Sequence, residues 1–410
     1  MSFDVCVIGG GAAGLMAAGT AANRGLRVLL LERNERTARK VMITGKGRCN
    51  VTNNCSMLNE LIENVPTNGS FLYSSFSRFM PSDTIDFFEN LGVPLKIERG
   101  NRVFPVSDKA ADIADALLSF ARNAGVKIIH ARAAAFKVED GIITAVVASD
   151  GERFSAEKYI LATGGKSYPL TGSTGDGYYL ASSVGHTIIP VKPSLVPLET
   201  QEDWVPRLQG LSLKNIAVKA IDNDTFGTVY EDFGEMLFTH FGVSGPVILS
   251  LSSHLKDVTP GKYSIEIDLK PALSLEQLDA RILREFKKYS TRTISNVLGT
   301  LLPRKMIPVA VQLSEIPPDL RVNQITREMR QNLGVMLKGL TVTVKGLRPI
   351  EEAIITSGGI NVNEIDPRTM RSKLCSNLYF AGEIIDVDAY TGGFNLQIAF
   401  STGNLAGLSV

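Results

Sequence analysis

Six residues near the start of the chain, Gly9-Gly10-Gly11-Ala12-Ala13-Gly14, fit the spacing G-x-G-x-x-G. Such a pattern does its chemistry through backbone. The first glycine permits a tight turn, the second lets the chain approach a pyrophosphate, and the third allows close helix–strand packing. A helix starting there offers unpaired N–H groups and its positive dipole end to phosphate. Glu32 lies 18 residues beyond Gly14, where a carboxylate accepts both hydroxyls of a ribose. A carboxylate disfavours a ribose 2′-phosphate, so the site reads as one for a dinucleotide other than NADP. No second G-x-G-x-x-G follows another strand, which suits one permanently held FAD and a substrate that comes and goes.

Two more glycine turns stand at element ends. Ala162-Thr163-Gly164-Gly165 closes an apolar strand, and Gly392-Gly393-Phe394-Asn395-Leu396-Gln397 opens a terminal helix. A helix N-terminus there suits the flavin pyrimidine, where reduction accumulates negative charge. Tyr168 and Tyr390 border glycine-rich segments; each reads either as a phenol that donates a proton or polarises a carbonyl, or as an aromatic wall. Cys49 and Cys55 enclose five residues, and Thr52-Asn53-Asn54 is poor helix material, so ordinary reduced thiols are favoured over a redox disulfide. His130, His186, His240 and His254 have no metal-ligand spacing, and no metal is expected.

The elements that must hold these residues follow from periodicity. Residues 3–8 and 27–31 read as buried parallel strands around an amphipathic helix at 12–24, a βαβ unit. Helices are expected at 81–90, 108–124 and 175–184, and strands at 126–129, 134–138, 142–147 and 158–163. Pro190, Pro193 and Pro197 mark a domain edge. Alternation then predicts antiparallel strands at 216–221, 228–231, 236–239 and 263–269, helices at 273–289, 293–301 and 323–337, and a strand at 340–344. A last buried strand is expected at 378–381 and a helix at 396–408. The fold class is therefore α/β: a Rossmann-like dinucleotide-binding domain with a parallel sheet, residues 1–190 and 346–410, interrupted by an antiparallel β domain, 191–270 with 338–345, and a helical subdomain, 271–337.

Composition excludes several classes. The chain has 410 residues, 44% of them hydrophobic, and a net charge of +1, which rules out disorder as the main state. Forty-three basic residues against 42 acidic give no overall attraction to nucleic acid or anionic membrane. Residues 271–345, however, hold 12 Lys/Arg and 6 Asp/Glu, a solvated helical face or a docking surface for an anionic partner. Four cysteines are too few for a disulfide scaffold, Asp4 interrupts the first apolar run, and no long apolar span occurs. The expectation is a cytoplasmic chain with reduced thiols; its oligomeric state is left open.

Across nearly its whole length the sequence resembles the BaiN-like group of flavoproteins with the glutathione-reductase-type FAD fold. The matching segments are Gly9–Gly14 with Glu32, the loop Thr44-Gly45-Lys46-Gly47-Arg48-Cys49-Asn50-Val51-Thr52-Asn53, Ala162–Gly165 with Ser167-Tyr168-Pro169, residues 172–178, Ile355-Thr356-Ser357-Gly358-Gly359-Ile360, and Ala381-Gly382-Glu383 with residues 392–397. The resemblance implies a Rossmann-like FAD-binding domain interrupted by an inserted antiparallel β-barrel-like domain and a small helical subdomain; Gly9, Gly11 and Gly14 would hold the pyrophosphate, with Ala12 and Ala13 also binding the cofactor, and Glu32 the adenosine ribose. Arg33 and Lys40 would face the adenosine or phosphates. Gly47, Arg48, Cys49, Asn50, Thr163, Gly164, Gly165, Thr356, Gly358 and Gly359 would lie near the flavin, Gly382 and Glu383 near the ribityl phosphate, and Gly393, Asn395, Leu396 and Gln397 at the pyrimidine edge. Glu383 stands where many related folds carry Asp. Tyr168, Tyr390 and Cys49 are the candidates for catalysis. The implied function is an FAD-dependent oxidoreductase passing hydride between flavin N5 and a small organic substrate. The favoured reaction is reduction of a carbon–carbon double bond conjugated to a carbonyl, as in a 3-oxo bile-acid-like enone, with NADH or NADPH as transient reductant. The alternatives are an oxidase of small amines such as aminoacetone, or a flavoprotein that docks on nucleic acid.

Overall fold

The computed structural model describes residues 3–410 and divides into two compact units. One runs to Ser194 and resumes at Ile350; the other is Leu195–Pro349.

The first unit is built on a seven-stranded sheet. Its order is Ile365–Asp366, Arg371–Ser372, Leu378–Phe380, Ala156–Leu161, Phe3–Ile8, Val28–Glu32, Lys127–His130. The five strands from Leu378–Phe380 to Lys127–His130 are parallel, with Val5 opposite both Val28 and Lys158. Val28–Glu32 is buried at every position, as a strand covered on both faces must be. The chain leaves Ile8 and starts the helix Ala12–Asn23 on the next turn.

That helix was expected to be amphipathic. It is instead buried all the way round, from Ala12 to Ala22. The terminal helix Phe394–Ser409 explains this, because it packs directly on it through small residues. A Cβ on Gly403 would stand 2.5 Å from the Ala13 carbonyl oxygen, and one on Gly407 would stand 2.5 Å from that of Ala17. Alanine and glycine are here the means of bringing two helix backbones together.

The prolines expected at a domain edge straddle it: Pro190 and Pro193 lie in the strand Ile188–Ser194, where the first unit breaks off, and Pro197 lies just beyond. Ile188–Ser194 pairs antiparallel with Ile355–Ile360, and the register shifts between Ile189 and Lys192. Pro190, which has no N–H, sits in that irregularity opposite Gly358, whose φ of 86° is open to glycine alone at low strain.

The second unit holds a closed barrel of six strands in the order Leu198–Thr200, Gly242–Ser244, Thr228–Phe238, Ser212–Asp222, Tyr263–Asp268, Leu340–Leu347. The two strands expected at 228–231 and 236–239 are one continuous strand, Thr228–Phe238, paired along its length with Ser212–Asp222. Inward residues Val218, Ala220, Ile265, Ile267, Val342 and Val344 form a core continuous with Leu278, Ile282 and Phe286 of the helix Leu275–Lys288. That helix begins with a capping box in which Ser274 and Gln277 satisfy each other's backbone N–H. Helices Pro246–Ser252 and Ile307–Leu313 had no counterpart in the sequence reading. Among the described residues no helix is long and apolar enough to cross a membrane.

Candidate active site

In the first unit a cleft opens along the C-terminal ends of the central strands, the place where open α/β sheets bind ligands. It contains about 1270 Å³ of non-atom space, part of it open to solvent. Three glycine turns from distant parts of the chain reach it.

Gly9–Gly14 forms the floor at one end. Gly9 has φ 102°, and a Cβ there would lie 2.5 Å from the Ala162 carbonyl oxygen, while one on Gly14 would meet the Gly9 carbonyl at 1.8 Å. Gly11 differs: nothing lies within 4 Å of its missing Cβ. Gly11 caps the helix Ala12–Asn23 with no side-chain hydrogen bond, which leaves first-turn N–H groups unsatisfied by a cap. Glu32 is buried beside this turn. Its Oε2 accepts from the Gly10 N–H at 2.7 Å, and its Oε1 accepts from the N–H and Nδ2 of Asn34 at 2.8 and 2.7 Å. Asn34 also donates to the Thr171 carbonyl, and Arg33 donates to Thr174 and Asp176, tying the 171–176 loop to this wall.

The middle of the cleft is a bonded cluster. Lys40 Nζ contacts Glu383 Oε2 at 2.5 Å and Ser167 Oγ at 2.6 Å. Glu383 Oε1 accepts from Ser167 Oγ and from the Thr356 N–H, and Thr356 Oγ1 accepts from the Lys166 and Ser167 N–H groups. Gly165 lies beneath; a Cβ there would be 2.4 Å from Thr356 Oγ1. The side chains of Lys40 and Glu383 are 23% and 12% exposed, so the pair is partly withdrawn from water and mutually neutralised. Asn395, Leu396 and Ala399 bring the start of the terminal helix to the cleft. Gly393 caps that helix with φ 102° and again no side-chain bond.

Of the expected positions, the cleft is lined by Gly9, Gly11, Ala12, Ala13, Glu32, Arg33, Lys40, Thr163, Gly164, Gly382, Glu383, Asn395 and Leu396. Gly14, Gly165 and Thr356 support that lining from below. Others are committed elsewhere. Gln397 is fully buried, bonded to Thr52, Thr84, Ser401 and the Phe79 carbonyl. Arg48 pairs with Glu98 and Asp108 and lies 4.2 Å over the Phe104 ring. The Asn395 amide spans Ala389, accepting its N–H and donating to its carbonyl. Gly358 and Gly359 serve close backbone approaches to Pro190 and Ile384, and Gly393 one to Thr52. Gly47 has φ 84° in the same loop as Cys49, whose φ is 60°. Asn50 Oδ1 and Thr163 Oγ1 are buried with no partner, so each has capacity for a ligand.

Cys49 is fully buried, and desolvation pushes its thiol up to about 12, so it carries no thiolate at neutral pH. All four cysteines are free. Burial, with a smaller contribution from Glu352, also raises the Tyr168 phenol, keeping it protonated. The Tyr390 N–H donates to the Asn64 carbonyl. Sequence reasoning passed over Asn34, and it included Thr44, Ser167, Ser173 and Asp176 in matching segments without giving them a role. Asp176 is held low: burial opposes this, but Arg132, Thr174 and Arg33 outweigh it. Asp176 belongs to the G-x-x-G-D-G run at 172–177, within a segment that carried the family resemblance.

Comparison with known proteins bears on this geometry directly. The model of the HI0933-like protein Rossmann domain matches residues 3–409. A 3-dehydro-bile acid delta(4,6)-reductase of Clostridium scindens is 32% identical, covering 98% of this chain and 97% of that protein. A ribosomal RNA dihydrouridine synthase of Escherichia coli is 31% identical, covering 98% and 96%. Among solved structures, an open-conformation flavocytochrome c3 fumarate reductase has TM-score 0.53 at 16% identity, covering 99% of this chain and 77% of that one. The 3-ketosteroid delta1-dehydrogenase of Sterolibacterium denitrificans has TM-score 0.53 at 12% identity, covering 99% of both chains. At such identities these two speak for the fold alone. The family match over the full described chain, on a Rossmann unit whose glycine turns converge on one cleft, makes this protein a member of the HI0933-like family and an FAD-dependent oxidoreductase.

Proposed function

We propose that the cleft holds FAD and that the protein reduces a carbon–carbon double bond conjugated to a carbonyl. The observation that carries the cofactor assignment is the convergence of two uncapped helix N-termini, at Gly11 and Gly393, on one cleft that also presents the Glu32 carboxylate. Gly9, Gly11, Ala12 and Ala13 would hold the pyrophosphate and Glu32 the ribose. Gly382 and the Lys40–Glu383 pair would hold the ribityl phosphate region, and the start of the terminal helix the pyrimidine side. The donor set fits: backbone N–H groups for anionic oxygens, a carboxylate for hydroxyls, and the unpartnered Thr163 Oγ1 for a further polar atom.

The reaction type is supported by what two full-length relatives are named for. One reduces ring double bonds of a 3-oxo acid, the other the C5=C6 bond of uridine. The substrates differ greatly in size, but each presents an alkene in conjugation with a carbonyl. Bound FAD supplies the two-electron hydride chemistry. The chain supplies orientation and a proton: hydride reaches the carbon β to the carbonyl, and the α carbon must then be protonated. Tyr168, held protonated by burial, and Tyr390 are the proposed donors. Cys49 shapes the loop and takes no part as a nucleophile.

The test is anaerobic stopped-flow on the flavin-loaded protein. NADH or NADPH should bleach the flavin, and a conjugated enone or a uracil compound should restore its colour far faster than air. Rapid reoxidation by air, with peroxide formed from aminoacetone, would replace this reading with the amine oxidase.

A further inference from the structure

Two further carboxylates lie buried in the first unit, behind the lining of the cleft. Asp386 and Asp388 are 8% and 2% exposed, on the stretch that runs from the turn Gly382–Ile384 to the terminal helix. Main-chain bonds fix that stretch. The Asp386 N–H donates to the Ile360 carbonyl, Asp388 bridges Thr67, and the Tyr390 N–H donates to the Asn64 carbonyl. Asp388 is tied to two walls of the cleft. Its Oδ2 accepts from Ser194 Oγ at 2.7 Å, and Ser194 is the register partner of Ile355, a lining residue. Its chain neighbour Ala389 is clamped by the amide of Asn395, another lining residue. Asp388 Oδ1 is buried with no partner.

The surroundings do not offset two negative charges. Asp386 is met by neutral donors, Asn68 Nδ2 at 3.0 Å and the Gly358 N–H. Among the described residues neither carboxylate forms an ion pair. The cation that acts on Asp386 is Lys192, which is exposed. Burial pushes the Asp386 carboxyl up and the charge of Asp388 adds to this, against Asn68, Gly358 and Lys192. Tyr178, on the helix Asp176–Ser183, approaches from another side with a buried hydroxyl that has no partner; burial, then the charges of Glu383 and Asp386, keep it protonated. A buried charge without a paired cation is costly, and two interacting carboxylates resist ionising together. Oδ1 of Asp388, with no donor aimed at it, is the oxygen on which a proton displaces no hydrogen bond.

We propose that Asp386 and Asp388 share one proton, carried on Asp388, and that this acid pair resupplies the group that protonates the substrate in the cleft. The relay rests on the alkene reduction proposed above; the shared proton rests on the burial and the missing partner. In that reaction the alkene gains a hydride at its β carbon and a proton at its α carbon. The proton leaves the hydroxyl of the donor tyrosine, the phenolate regains one from the acid pair, and the pair regains one from bulk water. Each turnover consumes one hydride and one proton, and Asp388 ends as it began. Asp388 thus acts through the donor, as a relay and positioning residue. Tyr390, two residues along the same fixed stretch, is the donor that this placement favours.

Two readouts on the full-length flavin-loaded protein test this. Infrared spectra should show the carbonyl band of a protonated carboxylic acid persisting at neutral pH, and Asp386→Asn/Asp388→Asn should remove it. Anaerobic stopped-flow then follows the two half-reactions separately. Asp388→Asn, which keeps the shape of the side chain, should slow reoxidation of the flavin by a conjugated enone about 100-fold and alter its pH dependence, with KM for the enone unchanged. Asp388→Glu should restore part of the rate. Absence of the band at neutral pH would overturn the proposal. So would enone reduction by Asp388→Asn at the wild-type rate and pH profile, or equal slowing of bleaching and reoxidation with a lowered melting temperature, the mark of a structural role. If enones are reduced and the band is absent, the acid pair falls and the reaction stands. If the band is present but the wild type reduces no conjugated alkene, the reaction and its relay fall and the shared proton stands.

Discussion

A single substitution, glycine to alanine within a helix, should act with opposite sign at two places in this chain. In a helix interior the exchange favours folding by up to about 1 kcal/mol, because alanine loses less backbone entropy. At Gly334, in the helix Arg327–Lys338, the new Cβ would find Leu275 Cδ1 at 3.5 Å, an ordinary contact with a flexible side-chain end. Gly334→Ala should therefore stabilise by about 0.5–1 kcal/mol. At Gly403 the same atom would meet the Ala13 carbonyl oxygen at 2.5 Å and the Ala13 carbonyl carbon and Cα at 3.2 Å, all of them backbone. Relief requires the two helices to part, and overpacking of this kind costs about 1–3 kcal/mol. Net of the propensity gain, Gly403→Ala should destabilise by about 1–2 kcal/mol. It should also weaken cofactor retention, because Ala13 lies in the turn that lines the cleft. Urea unfolding followed by circular dichroism, with flavin release followed by fluorescence, measures both. A neutral or stabilising Gly403→Ala would refute the claim that the two helices are in backbone contact. A destabilising Gly334→Ala would refute the use of these distances to assign the sign.

Further outcomes concern the cleft and the thiols. Lys40→Met should reduce FAD affinity and stability together, by roughly 1–3 kcal/mol, since it strands the partly buried Glu383; Lys40→Met/Glu383→Gln should recover much of the stability, as a double-mutant cycle in urea would show. Glu32→Ala should lower FAD affinity about 10–100-fold by equilibrium dialysis, because the Gly10 N–H loses its acceptor as well. Cys49 should resist iodoacetamide in the native state at pH 8, and mass spectrometry would find any adduct. Burial raises the folded-state value of Cys49 to about 12, above the unfolded value near 8.5, so its contribution to stability is whole below about pH 8.5 and is lost as pH rises toward 12. Relative to Cys49→Ala, wild-type stability should thus fall more steeply above pH 9, by up to about 1.4 kcal/mol per pH unit.

The parts legible in the sequence were those whose cause is local. Gly9–Gly14, the strand before it and Glu32 lie within 30 residues, and each obeys a constraint on backbone or burial that periodicity expresses. The same holds for Pro81–Asn90, where proline opens the helix, and for Leu378–Phe380, a short apolar run. What escaped was set by distant partners. Gln397 looked like a ligand-facing amide, but Thr52 and Thr84, more than 300 residues away, draw it into the interior. Arg48 was expected near the flavin, but Glu98 and Asp108 are folded against it. The helix at 12–23 gave no warning that its outer face would be covered, because alanine and glycine read the same in a weak polar face and in a helix–helix contact. Gly234 broke the alternation within Thr228–Phe238 and made one strand look like two.

The split of the first unit also dictates an order of assembly during synthesis. The helix Ala12–Asn23 is made well before its partner Phe394–Ser409, and the strand Ala156–Leu161 waits for its neighbour Leu378–Phe380. Leu195–Pro349 has its whole barrel, from Leu198 to Leu347, available before that point. Translation from the N-terminus therefore lets the later-starting unit finish ahead of the one that began first, and the glycine-turn cleft is completed only when the 16-residue helix Phe394–Ser409 leaves the ribosome.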